Sequence, residues 1–199
     1  MIRNNLIKIL DKLSYHKKES TYKRLISSKV LSVGNYTYGK PNILYDKHTN
    51  AKVKIGKFCS IAEGVTIFTG SNHNVNWVTT YPLRIMLNLE GKYADGHPST
   101  KGDVIIGNDV WIASNVTILS GVKIGDGAVI AANTIVSKNI LPYSVVGGNP
   151  QRLLKMRFEQ NDIDKLLEIK WWNWDIENIK KATPLLCSEN IKKFLDFYG

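Results

Sequence analysis

Residues 106–140 decide the fold, because in blocks of six they read IGNDVW, IASNVT, ILSGVK, IGDGAV, IAANTI and VSKNI. An aliphatic residue leads every block, and four places later comes a second small or apolar residue. The leading residues are Ile106, Ile112, Ile118, Ile124, Ile130 and Val136. Neither the 3.6-residue period of a helix nor the two-residue period of a strand produces this spacing. A period of six predicts an all-β solenoid with three flat sides, in which about 18 residues complete one coil.

An earlier block keeps the same register at Ile55, Ile61 and Ile67, and the period then breaks until Ile106. The interval, residues 68–105, is rich in His, Asn, Tyr, Pro and Gly. We interpret it as a loop ejected from the solenoid, and long loops on repeat folds often carry function. The alternative is a disordered insertion.

Three regions follow from these patterns. Residues 1–30 form a basic extension with Ile2, Leu6, Ile9 and Leu13 at helical spacing; the prediction is a helix packed on the protein, and the alternative is a helix lying on a membrane surface. Residues 31–150 form the solenoid with its loop. Residues 151–199 show apolar residues at helical spacing and three of the five Trp residues, which predicts a helical cap over the open end of the solenoid.

Composition limits the classes of protein that the chain can represent. Its 199 residues are 43% hydrophobic, as in a globular protein, and the net charge of +10 predicts attraction to an anionic partner. No apolar stretch approaches the ~18 residues of a membrane-spanning helix, and the N-terminus lacks the apolar core of a signal peptide. We therefore expect a cytoplasmic protein whose two cysteines, Cys59 and Cys187, are reduced.

Several motifs closely resemble the hexapeptide-repeat xenobiotic acetyltransferases, a family that includes chloramphenicol and streptogramin acetyltransferases and relatives acting on bacterial surface sugars. These motifs are Ile106–Ile112, Lys101–Asp103, Asn72–His73, Gly147–Pro150 and Leu166–Trp174. The resemblance covers about residues 32–198. It implies a left-handed parallel β-helix, acetyl-CoA as co-substrate, and a homotrimer with active sites between subunits.

Transfer of an acetyl group from a thioester to a hydroxyl needs a base near pH 7, and a neutral imidazole suits that role. His73 lies in the ejected loop and matches the catalytic histidine of the family motif. A covalent acetyl-cysteine route is disfavoured, because Cys59 takes an inward repeat position and Cys187 falls in the helical region. We therefore predict direct transfer in a ternary complex.

Coenzyme A has a thin arm and an anionic phosphate end, so its site requires small residues along a flat wall and cations beyond. By similarity to hexapeptide sugar acetyltransferases, the small residues and Lys138 line the arm and phosphates, with Arg152 and Lys155 just beyond. Trp111 stands where the repeat usually has a smaller residue, and we expect it to border the thioester. The predicted cofactor residues are Trp111, Ser114, Ala132, Ser137, Lys138, Arg152 and Lys155. The alternatives are simple packing for the small residues and Trp111, and a solvated surface for the cations.

The favoured acceptor is a hydroxyl of a sugar or polysaccharide precursor, because residues 92–101 and the basic extension depart from chloramphenicol-type sequences. The candidate acceptor contacts are Tyr81, Tyr93, Asp95 and His97. An antibiotic O-acetyltransferase and an amino-sugar N-acetyltransferase remain alternatives.

Proteins of other classes fit less well. A β-helix zinc hydratase requires two histidine ligands five residues apart, which His48, His73 and His97 do not provide, so no metal is expected. The positive net charge would suit nucleic-acid binding, but the sequence contains no recognisable nucleic-acid-binding motif. A non-catalytic solenoid scaffold stays open as an alternative that coenzyme A binding would exclude.

Overall fold

The computed structural model describes residues 19–199, so the helix predicted from Ile2, Leu6, Ile9 and Leu13 lies outside the described residues. The helices are α1 (residues 19–27), α2 (Leu83–Met86), α3 (Gln160–Ile169), α4 (Ile176–Leu186) and α5 (Ile191–Tyr198). The strands are β1 (Leu31–Val33), β2 (Asn42–Leu44), β3 (Val53–Ile55), β4 (Ser60–Ile61), β5 (Thr66–Phe68), β6 (Val104–Ile106), β7 (Trp111–Ile112), β8 (Thr117–Ile118), β9 (Lys123–Ile124), β10 (Val129–Ile130), β11 (Ile135–Val136), β12 (Ser144–Gly147) and β13 (Arg152–Met156).

The strands form three sheets that the chain visits in turn. Sheet A has the order β1-β3-β6-β9, sheet B the order β13-β12-β10-β7-β4, and sheet C the order β11-β8-β5-β2. All ladders are parallel except the β12–β13 hairpin. The leading aliphatic residues pair at an interval of 18 positions, as Ile106 with Ile124, Ile112 with Ile130 and Ile118 with Val136. The structure thus has the coil length that the period of six predicts.

The leading residues point into one continuous core. Ile112, Ile118, Ile130 and Val136 have no exposed surface. Burial of such a side chain is worth about 1.5–3 kcal/mol, so each coil repeats the same stabilising contact with the coils above and below. Cys59 lies in this core as well, which agrees with its inward repeat position.

Three columns of turns connect the sheets, and we name each by the sheets that it joins. The AB corner comprises residues 34–37, 56–59, 107–110, 125–128 and 141–143; the BC corner comprises residues 62–65, 113–116 and 131–134; the CA corner comprises residues 45–52, 69–103, 119–122 and 137–139. The long loop of residues 69–103 therefore leaves at the CA corner, between β5 and β6.

The C-terminal region differs in two ways from the sequence-based expectation. It begins with a strand, because residues 152–156 fold back on β12 as β13, and the helices start only at Gln160. The helices also pack along the AB corner rather than over the open end alone. Phe58 and Tyr143 leave this corner at positive φ and form an apolar cluster with Trp171 and Trp172. None of the helices in the described part of the chain is long and apolar enough to cross a membrane.

Candidate active site

The neck of the long loop is held to the solenoid by hydrogen bonds. The backbones of Asn72 and Ser99 exchange two hydrogen bonds of 3.0 Å. They make an antiparallel bridge between the outgoing limb of the loop, which contains Asn72, and the returning limb, which contains Ser99. The Asn72 side-chain amide donates to Ser120 Oγ, 3.2 Å away at the CA corner of the next coil. The backbone N–H of Lys101 donates to the same hydroxyl at 3.3 Å. His73, which follows Asn72, is thereby fixed next to the solenoid.

His73 is exposed, and a backbone carbonyl sets its orientation and the tautomer of its neutral ring. Its Nδ1 lies 2.6 Å from the carbonyl oxygen of Thr80. Because a carbonyl accepts and cannot donate, Nδ1 of the neutral ring carries the proton and donates it to Thr80. The lone pair then lies on Nε2. The ring has the tautomer that a general base needs, with Nε2 left for the proton of an acceptor.

His97, predicted from sequence as an acceptor contact, lies against His73 instead of facing solvent. It is only 5% exposed, and its ring meets the His73 ring edge-on with centroids 4.7 Å apart. The indole of Trp77 lies 6.2 Å from the His97 ring. His97 and Trp77 therefore form one wall of the space beside His73, a role for Trp77 that the sequence did not suggest.

Asp95 lies in the same limb of the loop and is engaged within the protein. Its carboxylate accepts from the guanidinium of Arg84 at 3.1 Å and from the backbone N–H of His97 at 3.1 Å. Desolvation alone would raise the pKa of Asp95, but these two donors outweigh it and hold the pKa below its usual value. Asp95 thus shapes the turn that carries His97.

The two predicted tyrosines occupy different parts of the loop. The Tyr93 ring stacks on His48, with centroids 3.7 Å apart and planes 5° from parallel. Tyr81 is half exposed, next to the Thr80 carbonyl that binds His73. Tyr93 is therefore engaged within the protein, whereas Tyr81 is exposed and follows in sequence the residue that binds His73.

The predicted cofactor residues fall into four groups. Ser114 and Ala132 occupy equivalent places at the BC corner of adjacent coils, where the N–H of Asn133 donates to the Ser114 carbonyl at 3.0 Å. Trp111 lies on the outer face of β7 in sheet B and is 55% exposed. These two small residues therefore lie beside sheet B, on a different corner from His73.

Ser137 and Lys138 lie at the CA corner, the corner that also carries the His73 loop. Gln151 holds this turn: its Oε1 accepts from the Ser137 backbone N–H at 3.0 Å and from Ser137 Oγ at 3.1 Å, and its amide donates to the Lys138 carbonyl. The Lys138 side chain remains exposed. Arg152 and Lys155 follow on β13, also exposed. These three cations provide positive charge at the end of the solenoid.

Besides Trp77, three groups that shape the site were missed from sequence: the Thr80 carbonyl, Ser120 and Gln151. A backbone acceptor leaves no mark on residue type, and Ser120 and Gln151 are brought in by adjacent coils. Within residues 19–199, no cluster of three or more His, Cys, Asp or Glu side chains is arranged to hold a metal ion.

Comparison with known proteins gives consistent matches. Residues 103–138 match the family model "bacterial transferase hexapeptide (six repeats)". The chain is 41% identical over 160 residues to a chloramphenicol acetyltransferase of Klebsiella aerogenes, and the alignment covers 76% of each protein.

Two solved structures are similar as well. A hexapeptide-repeat acetyltransferase from Vibrio cholerae complexed with acetyl-CoA has a TM-score of 0.50 and 26% identity, covering 66% of this chain and 62% of that one. A polysialic acid O-acetyltransferase has a TM-score of 0.50 and 28% identity, covering 69% of this chain and 63% of that one. This chain thus spans slightly less than two thirds of each solved chain.

Proposed function

Because this chain belongs to the hexapeptide-repeat acetyltransferase family that includes the chloramphenicol acetyltransferases, we propose that it transfers acetyl from acetyl-CoA directly to an acceptor hydroxyl, with His73 as general base. The resemblance seen in the sequence is confirmed by this identity. The chain is an acetyl-CoA-dependent acetyltransferase. The role of His73 and the nature of the acceptor are the parts that we propose.

The hydrogen bond from His73 Nδ1 to the Thr80 carbonyl carries the proposal. It leaves Nε2 to take the proton of the acceptor hydroxyl as that oxygen attacks the thioester carbonyl. The charge that develops on the imidazole is stabilised by the same carbonyl, because the Nδ1–H donor becomes more strongly polarised. The protonated ring then returns the proton to the departing sulfur. No metal is required for this sequence of proton transfers.

The finer architecture of the proposal is a left-handed β-helix that assembles as a homotrimer with active sites between subunits. Three parallel sheets visited in turn, together with the match to the hexapeptide family, support the winding. The separation of the two sets of predicted site residues supports the assembly, since His73 lies at the CA corner and Ser114 and Ala132 lie at the BC corner. A second subunit supplies the missing half of the site. A cytoplasmic location is part of the proposal.

A sugar hydroxyl is the acceptor that we favour. The likeness to a polysialic acid O-acetyltransferase supports it. The space beside His73 also offers polar and aromatic groups, namely His97 and Trp77, which suit the mixed polar and apolar faces of a sugar ring.

An antibiotic hydroxyl is the second candidate, and the 41% identity to a chloramphenicol acetyltransferase supports it. Exposed apolar side chains of the loop, including Val78, Met86 and Leu87, suit a less polar acceptor. An amino sugar is the third candidate acceptor. It would give an N-acetyl product with the same base, and it is included in the test below.

The test is release of free thiol from acetyl-CoA with chloramphenicol, a streptogramin, free and nucleotide-linked sugars, and amino sugars as acceptors. We expect a sugar to support turnover in the wild type. His73→Ala should lower kcat by about 10²- to 10⁴-fold, the usual contribution of a general base. Cys187→Ser, which alters an exposed thiol in the helical region, should retain the wild-type rate.

Each result separates the alternatives. Turnover confined to an antibiotic would select the second candidate. Full activity of His73→Ala would refute the proposed base, and loss of activity in Cys187→Ser would revive a covalent route. Failure of the wild type to bind coenzyme A by calorimetry would contradict the proposed cofactor site.

A further inference from the structure

A turn outside the long loop holds the start of that loop. Residues 45–52 connect β2 to β3 at the CA corner, one coil before the long loop leaves. Asp46 lies in this turn and is only 8% exposed. A buried carboxylate is costly unless hydrogen bonds satisfy it, so its partners indicate what it does.

The partners of Asp46 connect it to the loop that carries His73. Its Oδ2 accepts a hydrogen bond from Ser71 Oγ at 2.9 Å, and its Oδ1 accepts one from the backbone N–H of His48 at 2.9 Å. Its own backbone N–H donates to Thr69 Oγ1 at 3.0 Å. Asp46 is therefore bound to two residues of the outgoing limb, Thr69 and Ser71.

Ser71 has a backbone conformation that a serine adopts rarely. Its φ is +64°, in the left-handed region, where Cβ crowds the following carbonyl. The hydrogen bond to Asp46 favours this conformation over extended ones. The next residue, Asn72, then meets Ser99 and Ser120, and His73 follows. The direction in which the chain enters His73 is thus set at Ser71.

The same turn, residues 45–52, also contacts the returning limb of the loop. The His48 backbone is bound to Asp46, and the His48 ring stacks on Tyr93. Asp46 therefore contacts the outgoing limb directly and the returning limb through His48.

We propose that Asp46 is a positioning residue for His73, acting through Ser71. This inference rests on the proposed role of His73 as base. Asp46 does not touch substrate; it holds the chain so that His73 Nδ1 reaches the Thr80 carbonyl and Nε2 faces the acceptor. Its loss lowers the fraction of enzyme with a correctly oriented base and leaves coenzyme A binding intact.

The test compares Asp46→Ala, Asp46→Asn, Ser71→Ala and the Asp46→Ala/Ser71→Ala double variant. Asp46→Ala should lower kcat by about 10- to 100-fold, the effect of misplacing a catalytic group by about 1 Å. KM for acetyl-CoA should stay within about two-fold of the wild type. The kcat of the double variant should be no lower than that of the more damaging single variant, because both single changes break the same hydrogen bond between Ser71 and Asp46.

Asp46→Asn is the conservative variant. Its amide oxygen can still accept from the His48 N–H, and its amide nitrogen can donate to Ser71 Oγ. It should therefore recover most of the kcat that Asp46→Ala loses. Asp162→Ala is the matched control, because Asp162 is an aspartate of similar burial, paired with Lys192 in the helical region. It should lower the melting temperature without lowering kcat.

A spectroscopic readout separates this inference from the proposed function. Long-range ¹H–¹⁵N spectra report which nitrogen of His73 is protonated; the wild type should show the Nδ1–H tautomer and Asp46→Ala a mixture. An inactive His73→Ala together with a wild-type kcat in Asp46→Ala would overturn the inference and leave the function standing. An active His73→Ala would refute the function, while the tautomer spectra would still decide whether Asp46 orients the ring. If Asp46→Ala does not fold, a wild-type kcat in Ser71→Ala overturns the inference.

Discussion

A single backbone carbonyl distinguishes His73, the proposed base, from the other histidines of the described chain. His97 is almost fully buried and His48 is stacked on Tyr93, whereas His73 is exposed and donates Nδ1–H to Thr80. Any neutral histidine ring can act as a base near pH 7. Only the hydrogen bond to the Thr80 carbonyl selects the tautomer that leaves the lone pair on Nε2. The same distinction between residue type and contact applies to the cations at the end of the solenoid.

Lys138 is the cation that offers a clear test at this scale, because its backbone is fixed by Gln151 while its side chain is exposed. Lys138→Ala should raise KM for acetyl-CoA by about ten-fold at low salt, equivalent to about 1.4 kcal/mol. The effect should shrink as salt screens the charge, since the Debye length falls to about 3 Å at 1 M. Lys123→Ala, an exposed lysine on sheet A, is the control and should leave KM unchanged. An equal effect of both variants would mean that only net charge matters.

At the scale of elements, the AB corner is a column of interlocked turns. Asn108 accepts from the Lys57 N–H and donates from its own backbone and side chain to Asp126 Oδ1. A Cβ at residue 107 would lie 2.6 Å from that oxygen, so only glycine lets adjacent coils stack this closely. The neighbouring Asp109 is enclosed by the C-terminal helices and faces Arg157 at 3.6 Å.

Burial raises the pKa of Asp109 above its ordinary value of 3.8, and Arg157 only partly opposes the rise. The folded protein therefore binds more protons than the unfolded chain between these two pKa values, so this carboxyl lowers stability as pH rises through that window. In Asp109→Asn the loss of stability with rising pH is absent, because asparagine does not titrate. The melting temperature of the variant minus that of the wild type should become more positive from pH 4 to pH 7.

A second variant makes this test sharper. Arg157→Gln removes the cation that opposes the rise in the Asp109 pKa, so it should steepen the loss of stability with pH. Thermal unfolding monitored by circular dichroism across pH measures both effects. A difference between Asp109→Asn and the wild type that is constant with pH would contradict the assignment.

At the scale of the whole molecule, one chain places the proposed base and part of the predicted cofactor wall at different corners. The His73 loop lies at the CA corner, and Ser114 and Ala132 lie at the BC corner, with the whole width of sheet C between them. In a trimer built from this chain, one subunit's loop can face the BC corner of its neighbour. Closed symmetry then makes every interface equivalent and gives three identical sites.

Complementation between inactive variants tests this arrangement. His73→Ala lacks the base, and Ala132→Trp fills the BC corner, so each should be inactive alone. Co-expressed in equal amounts they should recover about a quarter of wild-type activity, because random assembly pairs an intact loop with an intact corner at one interface in four. No recovery in co-purified mixed trimers would place the whole site within one subunit. Sedimentation equilibrium should give the mass of a trimer.

The sequence by itself determined the repeating part of this protein. Six-residue spacing predicted the coil length and the inward residues, because each coil makes the same contact and needs the same residue type at the same place. The motif around His73 identified the family and the candidate base.

Only the tertiary structure decided how that base is oriented. The Ser120 hydroxyl, the edge of His97 and the buried Asp46 come from segments that are distant in sequence and meet at one corner. The Thr80 carbonyl is brought to His73 by the folded path of their own loop. Likewise, pairing of β13 with β12 and packing of the helices on the AB corner depend on contacts with no period. A periodic contact can be read from spacing, whereas contacts made once depend on the folded path of the chain.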